Sequence, residues 1–196
     1  MANTQARPLL VYVHGFMSSG STLKGQALRR HFGDRFEPCT PTYPQTSPSA
    51  SIEALEKEIS AAGAQKGVIV GSSLGGFYGQ YLAARHGWPL VMINPALDMA
   101  CVPSSLTGTH VNPYTGEKVV VDETWLAQLA PLHTEPVSPS QLIVCADDTT
   151  VLPRCALERY DSIAEVVFQP QGGHACWPLT PVLPQLDAFM RCQFGI

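Results

Sequence analysis

Short, dense apolar runs alternate along this chain with stretches in which apolar residues recur every three or four positions. The runs are LLVYV (9–13), FEPC (36–39), GVIV (67–70), LVMI (90–93), QLIVCA (141–146) and EVVF (165–168). Several are apolar on consecutive rather than alternate positions, as expected of strands covered on both faces in a parallel sheet. Between them, SIEALEKEISAAG sets Ile52, Leu55 and Ile59 on one helical face, starts after serines able to cap it and stops at Gly63. GGFYGQYLAARHG stops likewise at Gly87, and TPVLPQLDAFMRCQF closes the chain as a helix. This alternation predicts an α/β fold, a mostly parallel six-stranded sheet flanked by helices, in a single domain spanning 1–196.

One region breaks the rhythm. From Pro95 to Pro139 the chain is rich in proline, holds a turn-like NPYTGE and shows one apolar patch, WLAQLAPL, with no convincing strand. Long structureless connections are uncommon in compact domains and are often functional. The segment 96–136 is therefore expected to form a small cap-like insertion. The plainer alternative is a connection whose apolar residues only seal the edge of the sheet.

Composition narrows the function classes. Hydrophobic residues make up 45% of the chain and charged ones 14%, enough for a substantial core. A net charge of −4 supplies no basic field for nucleic acid or anionic lipid. No run approaches the roughly 18 apolar residues of a membrane span, and 9–13 is too short for a signal-peptide core. A soluble cytoplasmic protein is expected, with neither nucleic acid nor membrane as partner. The six cysteines are scattered without a C-x-x-C pair, so no metal site is expected and all six are read as free thiols.

The chemistry sits in VIVGSSLGGFYG. Gly71-Ser72-Ser73-Leu74-Gly75 fits G-x-S-x-G and falls between a predicted strand and a predicted helix, the setting this nucleophile turn requires. Side chains flanking so tight a turn would collide, which accounts for both glycines. Ser73 is the candidate nucleophile and Ser72 a spacer. The bland alternative is a glycine-rich strand–helix turn whose serine only caps the helix.

A serine needs a base, and the base an orienting acid. His174 lies in QGGHACW, a glycine-rich loop after the last strand, at the sheet end where open α/β folds place their sites. The acid belongs to CADDTTVLP, beyond the preceding strand. Asp148 is favoured by its spacing to Val151, with Asp147 as the alternative. His14-Gly15-Phe16 follows the first strand, where a backbone N–H can be aimed at an oxyanion; the expected donors are Phe16 N–H and Leu74 N–H. His14 itself reads as a loop-fixing residue. Trp125 with its leucine neighbours, and Trp177 beside His174, are expected to wall an acyl pocket.

With these residues together, the chain resembles the α/β-hydrolase superfamily and, within it, the small YqiA-like esterase group. The likeness rests on YVHGFMSSGSTLKGQAL, VGSSLGG, INPA (93–96), NPYTGE (112–117) and GGHA (172–175). It implies a compact hydrolase lacking the usual first strands, acting on carboxylic or fatty acyl esters or thioesters. It further implies a reaction without a cofactor and the triad Ser73, Asp148 and His174. The acid loop, Ala146-Asp147-Asp148, departs from the group's glycine–aspartate pattern. An amidase or peptidase on the same scaffold, or a binding protein that has lost catalysis, are the rival expectations.

Overall fold

The computed structural model describes residues 7–102 and 104–196. Its strands are β1 (Leu9–Val13), β2 (Glu37–Cys39), β3 (Gly67–Ser72), β4 (Leu90–Ile93), β5 (Gly108–Val111), β6 (Lys118–Val121), β7 (Ser140–Cys145) and β8 (Glu165–Gln169). Six form one parallel sheet in the order β2-β1-β3-β4-β7-β8, and each lies within two residues of the apolar run that predicts it. Their consecutive apolar positions divide between two cores. In β1, Leu9, Val11 and Val13 face one side, Leu10 and Tyr12 the other.

Helices α1 (Leu23–Phe32) and α6 (Leu183–Phe194) cover the second face through Leu28, Phe32, Leu186 and Phe189. The first face is covered by α2 (Pro48–Ala62), α3 (Leu74–His86) and α5 (Pro153–Tyr160), through Leu55, Ile59, Tyr78, Leu82 and Tyr160. Helix α2 starts earlier than the apolar spacing suggests. Ser47 Oγ accepts the Ala50 N–H at 3.1 Å and Pro48 takes the first helical position, where its missing N–H costs nothing. Gly63 and Gly87 end α2 and α3 in left-handed conformations, as expected.

Strand order decides where a site can form. The chain steps outward from β1 to β2, returns past β1 to β3 and continues in that direction. Right-handed crossovers in opposite directions place α1 and α2 on opposite faces. A crevice opens where the direction reverses, beyond the carboxyl ends of β1 and β3. His14-Gly15-Phe16 and Ser73 follow those two ends.

Two expectations are corrected here. The region 95–139 does hold strands: β5 and β6 form an antiparallel hairpin closed by NPYTGE, followed by α4 (Glu123–Ala127). The strands were hidden because each is only four residues long and only β6 has a buried face, made by Val119 and Val121. The cysteines are not all free. Cys101, in a short 3-10 turn over Met99–Cys101, forms a disulfide with Cys155 of α5, with Cα atoms 6.5 Å apart. The pairing joins positions 54 residues apart, which no local pattern announces. Among the described residues, no helix is long and apolar enough to cross a membrane, and no group of three or more His, Cys, Asp or Glu is arranged to hold a metal ion.

Candidate active site

Ser73 stands between β3 and α3 with φ 56° and ψ −127°, a left-handed backbone that a residue with a side chain adopts only at a cost. The crowding behind it explains the neighbouring glycines. A Cβ on Gly71 would lie 2.3 Å from the Gly75 carbonyl oxygen, and one on Gly75 would lie 2.1 Å from that of Val13. The turn is tied to the next strand as well. Ser73 N–H donates to Ile93 O at 3.1 Å, and its carbonyl accepts from Ala96 N–H at 3.0 Å. Left-handed φ recurs at Met17, Asn94 and Cys176, so the described non-glycine residues of this kind all follow the carboxyl ends of β1, β3, β4 and β8.

A continuous relay runs from the serine. His174 Nε2 lies 2.9 Å from Ser73 Oγ, and His174 Nδ1 lies 2.8 Å from Asp148 Oδ2. The Asp148 side chain is fully buried, while the imidazole keeps 28% exposure. Asp148 Oδ1 accepts the N–H groups of Thr150 and Val151 at 2.8 and 3.1 Å, which fixes the carboxylate plane. Asp147 does something else. Its carboxylate accepts the N–H groups of Gly172 and Gly173 at 3.2 and 2.8 Å and so holds the loop that carries His174. Between the two aspartates, the structure brings Asp148 to the imidazole.

Two buried amides, Asn94 and Gln45, hold the loops in register. Asn94, just beyond β4, donates through Nδ2 to the carbonyls of Gly173 (2.9 Å) and His174 (3.1 Å), and its Oδ1 accepts the Cys145 N–H at 2.8 Å. One side chain thereby joins the loop of His174 to the strand leading to Asp148. Gln45 does the same for the loop after β1: it donates to Gly15 O at 3.0 Å and accepts the Met17 N–H at 2.9 Å, bracketing Phe16. The only sequence signal was INPA, an asparagine able to take the left-handed conformation before a proline; Gln45 had none.

His14 is fully buried, stacked on Tyr43 with ring centroids 4.1 Å apart, and its Nδ1 lies 2.9 Å from Gly15 O. Burial pushes its imidazole down to about 4, partly offset by that hydrogen bond, so it is neutral and fixes the loop. His31 and His86 pair with Asp187 and Glu56 on helix surfaces, each at 2.9 Å. Ser72 faces away from Ser73: its buried hydroxyl accepts from Lys24 Nζ at 2.6 Å.

Ser73 and His174 open into a cavity of about 260 Å³, walled mainly by Phe16, Met17, Leu74, Val102, Leu106 and Val151. Neither tryptophan expected in the pocket lies in it. Trp125 is buried one layer further back, edge-on to Phe16 at 6.0 Å, with its indole N–H donating to Gln45 O at 3.2 Å. Trp177 is 41% exposed and lines a separate cleft with Asp147, Gln169 and Gly172. The reason is how segment 96–136 folds: the hairpin and α4 turn Val119, Val121 and Trp125 into the main core, leaving Met99, Val102 and Leu106 on the cavity of Ser73.

Solved structures share this arrangement of elements. Est1E from Butyrivibrio proteoclasticus, with ferulic acid bound, matches with a TM-score of 0.79 at 14% identity over 99% of this chain and 92% of that one. Alpha/beta hydrolase domain-containing protein 10 from mouse matches at 0.75 and 15% identity, over 93% and 89% of the two chains. The esterase domain of a Rhodothermus marinus protein gives 0.70 and 18%, over 97% and 89%. At such identities the likeness establishes the α/β-hydrolase fold. The model of the Uncharacterised protein family (UPF0227) matches residues 9–191, from the first strand into the last helix, and the chain belongs to that family.

Proposed function

We propose that this protein is a serine esterase that hydrolyses carboxylic acyl esters or thioesters of short to medium chain, through an acyl-enzyme and without a cofactor. The observation that carries this reading is the Ser73–His174–Asp148 relay at the mouth of an apolar cavity. His174 Nε2 takes the proton from Ser73 Oγ as the oxygen attacks the acyl carbonyl. The N–H groups of Phe16 and Leu74 receive the oxyanion; Leu74 is the first residue of α3, whose N–H has no acceptor within its own helix. Asp148 stabilises the imidazolium, which then protonates the leaving alcohol or thiol. Water, deprotonated by the same imidazole, releases the acid and restores Ser73.

The cavity favours an acyl ester over a peptide. Most of its wall is made by side chains of Phe, Met, Leu and Val, the surface an acyl chain needs. A purely binding role leaves the relay and the left-handed serine without a purpose. The proposed acyl wall is Phe16, Met17, Val102, Leu106 and Val151, in place of Trp125 and Trp177. A cytoplasmic setting, read from the sequence, belongs to this proposal. The test is labelling by a fluorophosphonate together with a hydrolysis panel of acyl esters, acyl thioesters and amides. Labelling and ester turnover should both disappear in Ser73→Ala and survive in Ser72→Ala. Amide turnover matching ester turnover would overturn the esterase reading.

A further inference from the structure

Lys24 is the second residue of α1, yet only 8% of it is exposed. Burying an ammonium is expensive unless it is paired and hydrogen-bonded, and a small α/β domain has no packing need for one. Its Nζ donates to Ser72 Oγ at 2.6 Å, behind the residue that carries the nucleophile. Neither Lys24 nor Ser72 borders the cavity, so the pair is no second serine–lysine nucleophile: no substrate reaches it. The titratable groups around the ammonium come from the other parts of the site. Cys145 ends β7, Asp148 is the acid, Cys176 follows His174, and Tyr12 of β1 packs beside the neighbouring Gly25. Burial pushes the Cys176 thiol up to about 12 and the Tyr12 phenol likewise to about 12, so neither neutralises the lysine.

We propose that Lys24 is a positioning residue for the ester chemistry: its buried ammonium pins Ser72, and with it the nucleophile turn. This rests on the serine esterase reading. The serine turn is held in a strained conformation, and a strained conformation persists only where its surroundings over-determine it. The Lys24–Ser72 bond is one such restraint, placed on the residue next to Ser73. It also makes the site sensitive to alkali. Burial pushes Lys24 down to about 8, and the charged group near it, Asp148, only partly offsets this. As pH rises past that value the ammonium becomes a neutral amine, and the charge-assisted bond that pins Ser72 is weakened.

The experiment follows kcat, KM and the rate of fluorophosphonate labelling from pH 6 to 10 in the wild type, Lys24→Met, Lys24→Arg and Ser72→Ala, with folding checked by circular dichroism. The wild type should lose activity above pH about 8. Lys24→Met should lower kcat about tenfold, the equivalent of one charge-assisted hydrogen bond, with KM little changed and the alkaline fall gone. Lys24→Arg, whose charge does not titrate in this range, should keep most of kcat and also lose the alkaline fall. Ser72→Ala should move the fall to lower pH, because the ammonium has lost its acceptor. An alkaline fall that persists in folded Lys24→Met or Lys24→Arg overturns the role of Lys24. Should Lys24→Met fail to fold, Lys24→Arg and Ser72→Ala decide alone. A wild type that labels nowhere overturns the esterase reading and the Lys24 role with it; labelling confined to Ser73 with an unmoved pH profile overturns the Lys24 role alone.

Discussion

Asp147 and Asp148 are adjacent, chemically identical and both bonded to the same functional region, yet changing each to asparagine should give very different enzymes. Asp148→Asn preserves shape. Its amide oxygen can still accept from Thr150 and Val151, so the acid loop should fold. Two things are lost at the imidazole. The first is charge: a carboxylate and an imidazolium about 4 Å apart at an effective dielectric near 20 attract by about 4 kcal/mol, close to three decades of rate. The second is the tautomer. An asparagine amide facing Nδ1 donates to it, which leaves the proton on Nε2, where it can no longer accept from Ser73. Together these should lower kcat by roughly 10³–10⁴-fold. In Asp147→Asn the amide oxygen still accepts from one of the two glycines, and no group on the imidazole changes. A loss below about tenfold is expected, as from one weakened hydrogen bond. The assay is ester hydrolysis at saturating substrate, with thermal melts to confirm folding. A folded Asp148→Asn protein that keeps more than a tenth of its turnover, or a reversed ranking, refutes the assignment.

The cavity sets a length limit: each buried methylene contributes about 0.8 kcal/mol, so kcat/KM should rise about fourfold per carbon until the space is filled, and Leu106→Trp should move the optimum about two carbons shorter. The same chain-length profile in that variant would remove the cap from the acyl wall, whereas Trp125→Ala should leave the profile in place and act on stability. His14 makes stability depend on acid. An unfolded imidazole titrates near 6.5 and the buried one at about 4, so the unfolded chain binds the extra proton between those values. The His14 contribution is complete above pH 6.5 and falls by about 1.4 kcal/mol per pH unit, to a total loss of about 3 kcal/mol near pH 4. Urea midpoints across that range should show this slope, and a His14→Gln protein with the wild-type pH dependence would refute it. Alkylation of the denatured protein without reductant should modify Cys39, Cys145, Cys176 and Cys192, with Cys101 and Cys155 reacting only after reduction. Modification of all the cysteines before reduction would refute the disulfide.

Which parts of this molecule the sequence displayed follows from how local their causes are. The six sheet strands are legible because burial on two faces makes each a dense apolar run, whatever lies beside it. Ser73 is legible because the turn's steric demands fall on Gly71 and Gly75, two residues to either side. His174 and Asp148 follow from topology, since each loop beyond a strand's carboxyl end reaches the same crevice. Segment 96–136 is the opposite case. Its apolar residues could be counted, but a segment without a clear period of two or 3.6 gives no face on which to place them. Trp125 therefore read as a pocket wall, when it supports Phe16 from behind.

The polar residues that hold the site escape sequence reading for a related reason. Gln45 contacts Gly15, Met17, Asn112, Glu117 and Trp125, and Asn94 contacts Cys145, Gly173 and His174; every one of these partners lies 28 or more residues away. A lone glutamine or lysine in a sequence is by base rate a surface residue, and nothing nearby contradicts that. What these buried groups have in common is position. Gln45 brackets Phe16, Asn94 holds the loop of His174, and Lys24 grips the serine next to Ser73. A buried polar group that loses its partner costs about 1–3 kcal/mol, so each of these contacts resists displacement of the loop it holds. Ser73, Asp148 and His174 all lie beyond strand ends, where a fold holds its chain least, and these long-range bonds tie those loops to the strands that carry them.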